Sequence, residues 1–259
     1  MEQSNHYDLG QLGRERLEGF CKTLKKLLVD EAVQFDVIVA AGNSGLAMSS
    51  FAFMVFDALH ISRPMLLKVP FFRYLPRHND DPQHLFLIST FEDEIRAQLD
   101  DIKLQSNNFL FVDDEIGQGI TALGMYSLIK PGLAELNRVE NFGYYIVAED
   151  QGFKVPANLT DIHFHSFSKE IEGLNNIIFY MIPAEFEDPI IKALGDDEKF
   201  TFHWRANLLL DLPIKDYNNG NPVFSDKWLD KARNDIPEFT RLQMQFQKYI
   251  MKDIAKLTQ

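Results

Sequence analysis

The sequence predicts an α/β protein: a mostly parallel sheet with helices on both faces, followed by a C-terminal helical extension. Three observations carry this expectation. The runs FDVIVAA (35–41), NNFLFVDD (107–114) and FGYYIVAED (142–150) contain stretches of consecutive apolar residues without polar alternation, as strands buried on both faces require. Segments with apolar residues at helical spacing separate them. After about residue 195 the alternation gives way to helical patterns, which divides the chain into an α/β domain, 1–195, and a helical cap or small subdomain, 196–259.

The elements follow in order. Residues 11–31 form an amphipathic helix, with Leu12, Leu17, Phe20, Leu24, Leu27 and Leu28 on one side. The first strand, 35–41, runs into GNSG and then into the apolar segment LAMSSFAFMVFDALHI, 46–61. That segment is shorter than a bilayer span and contains Asp57, so it is expected to be a buried helix of a soluble protein. RPMLLKVPF, 63–71, is a second strand, and RYLPRHNDDPQH, 72–83, is a polar, proline-containing loop. FEDEIRAQLDDIKLQ, 91–105, is helical, with Phe91, Ile95, Leu99 and Ile102 on one face. The strand ending at Asp114 leads to a helix, TALGMYSLIKPG, that Pro131 and Gly132 are expected to stop. DIHFHSF, 161–167, supplies a fifth strand after 142–150. DLPIKDYNNGNPVFSD, 211–226, is a turn-rich connector, and WLDKARNDI and EFTRLQMQFQKYIMKDIAKL are helices. Phe239, Leu242, Phe246, Ile250 and Ile254 form an apolar stripe along the last helix, which either packs within the chain or joins two copies in a homodimer.

Composition narrows the function. The chain has 259 residues, 46% hydrophobic, enough for a sizeable core, and 22 phenylalanines that belong mostly to it. Its net charge of -12 argues against nucleic acid or an anionic membrane as partner, though not against a local basic pocket for a small phosphorylated molecule. The single cysteine, Cys21, can form no intramolecular disulfide and reads as a small packing residue on a helix. The first residues, MEQSNHYDLG, lack a basic-then-apolar signal pattern, so a cytoplasmic protein is expected.

The informative stretch is FLFVDDEIGQGITALGM, 109–125. Ligands of open α/β sheets bind beyond the carboxyl ends of the strands, where Asp113 and Asp114 sit. The glycine turn from Gly117 to Thr121 opens a helix, whose free N–H groups and positive dipole end suit a phosphate. Two carboxylates repel a phosphate but accept hydrogen bonds from hydroxyl groups, or hold a divalent cation. Hydroxyl acceptors beside a phosphate cradle describe a ribose 5-phosphate.

VDDEIGQGIT resembles the signature of type I phosphoribosyltransferases: an apolar strand, two acidic residues, and a short glycine loop before Thr or Ser. The resemblance covers about residues 30–170. It implies that Asp113 and Asp114 hold the ribose hydroxyls and that Gly117, Gln118, Gly119, Ile120 and Thr121 wrap the 5-phosphate of phosphoribosyl pyrophosphate (PRPP), with Mg²⁺. AAGNSG, after the first strand, is similar to the family's pyrophosphate loop and implies that role for Ala41, Gly42, Asn43, Ser44 and Gly45. The family's mobile loop corresponds to KVPFFRYLPRH, where Lys68 and Arg73 are the expected catalytic cations and Arg77 or His78 can close over the ligand. Such enzymes displace pyrophosphate from the anomeric carbon with an acceptor nucleophile, commonly a nucleobase nitrogen.

Some features depart from the family. Gly117 stands where 6-oxopurine enzymes carry an aspartate, which disfavours that substrate class. IVAEDQG, 146–152, is similar to the strand end facing the acceptor in orotate-type enzymes, yet Glu149 and Asp150 would not favour an anionic base. His163 and His165 share a strand face but have no third ligand in the pattern for a metal. A response-regulator receiver also carries VDDE at a strand end, but it normally begins with that strand and lacks GQGIT. The leading expectation is Mg-PRPP-dependent phosphoribosyl transfer to an unidentified small acceptor. The alternatives are a PRPP- or nucleotide-sensing regulator on the same fold, and an interaction protein that binds no such ligand.

Overall fold

The computed structural model describes residues 9–71, 82–169, 182–195 and 202–259. Its centre is a five-stranded sheet of β1 (Val37–Ala41), β2 (Met65–Val69), β3 (Asn108–Ile116), β4 (Gly143–Asp150) and β5 (Ile162–Lys169). The spatial order is β2-β1-β3-β4-β5 and every pairing is parallel. The predicted α/β class therefore holds. Side-chain alternation splits the strands between two cores. Ile38, Leu110 and Val112 face one layer, while Val37, Val39, Phe109 and Phe111 face the other, all essentially without solvent contact. This double burial is why these strands show no polar alternation in the sequence.

The first layer holds α1 (Leu9–Lys25), which ends in a π-helical turn (Lys26–Asp30), and α2 (Gly42–Ala58). The second holds α3 (Pro82–Asp101) and α4 (Ile120–Glu135). Two helices depart from their expected boundaries. The start of α3 lies at Pro82, inside the stretch expected to be loop; proline at a first helical position loses no intrahelical bond and is pre-set for the turn. Residues 72–81 of that stretch lie outside the described residues. The helix ends at Asp101 rather than Gln105, because Asp36 captures the chain beyond it: its Oδ2 accepts the backbone N–H groups of Gln105 (3.0 Å), Ser106 (2.9 Å) and Asn107 (2.6 Å). The second correction concerns Pro131, which does not stop α4. The helix runs on to Glu135 because Gly132 and Leu133 are buried against the core, and Gly132 lies where even a methyl group would touch Leu99.

The rest of the chain comprises α5 (Ala184–Leu194), α6 (Phe202–Leu209), β6 (Ile214–Asn218), β7 (Asn221–Ser225), α7 (Lys227–Asp235) and α8 (Phe239–Leu257). The segment expected to be a turn-rich connector is an antiparallel hairpin closed at Asn219 and Gly220. Both have positive φ, 51° and 84°, the backbone that a two-residue Asn-Gly turn needs to match strand twist. The extension packs on the sheet domain and shares its core. Phe246, Ile250 and Ile254 of α8 are buried in the same cluster as Phe20, Phe51 and Phe56. The apolar stripe thus faces the chain's own interior, which removes the observation on which a homodimer rested. Gln243, also buried, ties α8 to the end of α6 by donating to the Leu208 carbonyl (2.7 Å) and to Asp211 (3.0 Å). Among the described residues, no helix is long and apolar enough to cross a membrane.

Both tryptophans lie in the extension, Trp204 on α6 and Trp228 on α7, with ring centroids 5.5 Å apart. Their fluorescence therefore reports that region, whereas far-UV circular dichroism reports the whole chain. Truncating Leu110 of β3 or Phe246 of α8 to alanine should each cost about 3–5 kcal/mol in denaturant unfolding. The two probes should keep one shared midpoint in both variants, because the core is continuous. Cys21 is inaccessible, and burial, helped by Glu18, pushes its thiol up to about 12. A thiol reagent such as Ellman's should leave it unreacted in the native protein at neutral pH and modify it on unfolding.

Candidate ligand site at the carboxyl edge of the sheet

The site begins with an irregularity in β3. Val112 pairs with Val147 and Glu115 with Glu149, so one extra residue is accommodated on β3 between these pairs. In a regular strand, adjacent side chains point to opposite faces. A bulge breaks that rule and re-aims side chains, and here the residues inside it are Asp113 and Asp114. Both residues line the same cavity although they are neighbours in sequence. Both are largely buried, and the Asp114 N–H donates to Asp113 Oδ1 at 3.1 Å.

Beyond Ile116 the chain turns through Gly117, Gln118 and Gly119 into α4. Gly119 precedes the first helical residue with φ of 73°, and no side chain caps the helix. The N–H groups of the first turn lack intrahelical acceptors, so they remain available to a ligand. An added Cβ on Gly119 would lie 2.2 Å from the Phe153 ring, so the turn packs tightly enough to require glycine on both conformational and steric grounds. Beneath it, the buried Tyr144 hydroxyl donates to the Ala122 carbonyl at 3.1 Å; burial first, and Asp113 second, hold that phenol protonated. The turn, Thr121 and Gln151 border a cavity of about 350 Å³.

A second loop opens beside it. β1 ends at Ala41, and α2 begins at once with Gly42 in a left-handed conformation (φ 67°), again without a side-chain cap. Ala41, Gly42, Asn43 and Ser44 line a cavity of about 220 Å³ together with Asp113, Asp114 and Lys215. Both cavities include Asp113, Glu115 and Thr121, so they form one continuous cleft. Gly45 does not line it. Gly45 sits behind the loop, where an added Cβ would come within 3.2 Å of the Ala40 backbone.

The structure thus gathers Ala41, Gly42, Asn43 and Ser44 with Asp113, Asp114, Gly117, Gln118, Gly119, Ile120 and Thr121. Other expected residues fall elsewhere. Lys68 lies exposed on the edge strand β2 and borders neither cavity. Its backbone closes that edge against α3: Gln98 accepts from the Lys68 N–H (3.1 Å) and donates to its carbonyl (3.0 Å). Arg73, Arg77 and His78 lie outside the described residues. Glu149 is not available to an acceptor, because Arg16 of α1 grips it in a buried pair (2.5 and 2.9 Å). Asp150 instead shapes the chain after β4, accepting the N–H groups of Gly152 (2.9 Å) and Phe153 (3.0 Å). His163 and His165 both pack beside the Tyr145 ring, with centroids 4.6 and 6.1 Å away.

Lys215 had no place in the sequence expectation. It arrives from β6, whose N–H at this residue donates to Asn43 Oδ1 at 2.6 Å. The Asn-Gly dipeptide flanked by alternating residues is a legible hairpin signal, but nothing local to it says where the hairpin lands. Among the described residues, no cluster of three or more His, Cys, Asp or Glu side chains forms a metal cage. Two carboxylates beside an uncapped helix N-terminus are too few for a metal cage, but their oxygen chemistry fits a Mg²⁺ ion that keeps most of its coordination for water and ligand oxygens.

No protein-family model matches the chain, and no curated protein matches it. Among solved structures, a hypothetical protein from Neisseria gonorrhoeae, crystallised with bound ppGpp, is similar at 16% identity and a TM-score of 0.33. The match covers 60% of this chain and 80% of that one. At that level the nucleotide remains a property of the Neisseria protein.

The two glycines of the turn make a test of its geometry. Gly119→Ala places a methyl group in the left-handed region and against Phe153, so it should lower stability by roughly 2 kcal/mol. Gly117→Ala meets only Gln151, at 3.8 Å, and should change stability by less than about 0.5 kcal/mol. Denaturant midpoints of the two variants measure the contrast.

Proposed function

We propose that the chain binds Mg-PRPP and transfers its phosphoribosyl group to a small acceptor, a nucleobase being the first class to try, with release of pyrophosphate. One observation carries this reading: two uncapped helix N-termini, one after β1 and one after β3, open on a single cleft with Asp113 and Asp114 between them. The N–H groups around Gly119 suit the 5-phosphate. The two carboxylates suit the ribose hydroxyls, and the loop 41–44 suits the pyrophosphate. In the reaction, an acceptor nucleophile forms a bond to the anomeric carbon as the bond from that carbon to the pyrophosphate oxygen breaks, and the electron pair leaves with pyrophosphate. Mg²⁺, when bound, supplies charge neutralisation on the leaving group. The chain's own contribution is to orient the ribose and to stabilise charge on the leaving group. A single thiol, buried and unpaired, suits such a protein to a reducing cytoplasm.

A second reading, a non-catalytic PRPP or nucleotide sensor on the same fold, draws on the acceptor side of the cleft. The two residues expected to meet an acceptor, Glu149 and Asp150, both have structural partners. Thermal unfolding separates both readings from an interaction protein that binds no such ligand. At about 100 times its dissociation constant, Mg-PRPP should stabilise the protein by roughly 2.7 kcal/mol, and Asp113→Asn/Asp114→Asn should abolish that gain. No gain in the parent chain rejects the enzyme and a PRPP sensor, and leaves the nucleotide sensor to the same measurement with nucleotides. Where the gain is present, pyrophosphate release with a panel of nucleobases identifies the enzyme, and its absence across the panel favours the sensor.

A further inference from the structure

The cleft is rich in negative charge. Asp113, Asp114 and Glu115 border it, and among the described residues that do so Lys215 is the single cation. Helix N-termini carry only partial charges, so a full cation beside them strengthens the hold on a diphosphate. Its position makes Lys215 suited to this task. Its backbone is pinned to the loop 41–44 through Asn43, which fixes where the side chain starts. Among the described residues its Nζ reaches only the Phe71 carbonyl, at 3.4 Å, a long contact to a neutral group. Burial pulls its pKa down. A partly buried ammonium without an anionic partner is unfavourable in the free protein. An anion arriving in the cavity removes that cost and gains a charge-assisted hydrogen bond.

We propose that Lys215, carried by the C-terminal hairpin, is the residue that binds the diphosphate end of the ligand, so that the extension completes the site instead of merely covering the core. This rests on the PRPP reading for the identity of the ligand. The role expected of Lys68 passes to a residue from the other end of the chain.

The experiment uses the full chain with Mg²⁺ and three probes: PRPP, inorganic pyrophosphate, and ribose 5-phosphate, which lacks the diphosphate. Titration calorimetry compares the parent with Lys215→Met, which keeps length and apolar packing, and Lys215→Arg, which keeps the charge. Lys215→Met should weaken PRPP and pyrophosphate at least tenfold and leave ribose 5-phosphate within twofold, while Lys215→Arg retains most of the affinity. Without ligand, Lys215→Met should melt no lower than the parent, since it removes an unpaired buried charge; this separates lost binding from lost folding. Unchanged PRPP and pyrophosphate binding in Lys215→Met overturns the inference and leaves the PRPP reading intact. Equal weakening of all three probes also overturns it, because Lys215 then only supports the loop. Lys215-dependent binding of pyrophosphate without any binding of PRPP sustains the diphosphate site and rejects the PRPP reading. A parent chain that binds neither rejects both.

Discussion

The structure depends on β1 and β3 lying side by side, parallel and buried on both faces, with Val39 level with Phe111. Parallel strands deliver their carboxyl ends to the same edge, so the turns after Ala41 and Ile116 must meet there. Each turn passes almost at once into a helix, and the two helix N-termini come to border one cleft. Neither helix has a side-chain cap. A serine, threonine or aspartate at either cap would ordinarily stabilise its helix by about 1 kcal/mol. Ala41 and Gly119 stand there instead and offer the N–H donors no side-chain cap. Both turns thus forgo local stability where ligand binding would need open donors.

The bulge in β3 is the second device. Without it, Asp113 and Asp114 would point to opposite faces of the sheet, one of them into an apolar core. With it, both meet the cleft. The buried pair of Arg16 and Glu149 serves a different purpose on the neighbouring strand. It fastens α1 to the end of β4. A buried ion pair adds little net stability over an apolar pair, but losing one partner is expensive, so it fixes this junction firmly.

The extension belongs to the same cooperative unit. Its helices α6 and α8 complete the core over α1 and α2, and its hairpin reaches the loop after β1 through the Asn43 side chain. Asn43, expected only as part of an anion loop, is also the latch that holds the hairpin in place. The loop after β1 and the packing of the last quarter of the chain are therefore mechanically linked.

Sequence pattern alone determined the α/β class, the strands 37–41, 108–116 and 143–150 to within a few residues, and the two glycine turns, because each rests on local physics: double burial leaves continuous apolar runs, and tight turns demand glycine. Where local rules misled, packing overruled them. Pro131 stays inside α4 because Leu133 is worth burying, and α3 stops early because Asp36, far back in the chain, takes the next N–H groups. Tertiary structure alone decided that Lys68 stands outside the cleft and Lys215 within it. The contact between residues 43 and 215 spans 172 positions. No periodicity encodes it; it exists because α6 and α8 bury their apolar faces on the sheet domain and carry the hairpin between them to the edge where the two turns meet.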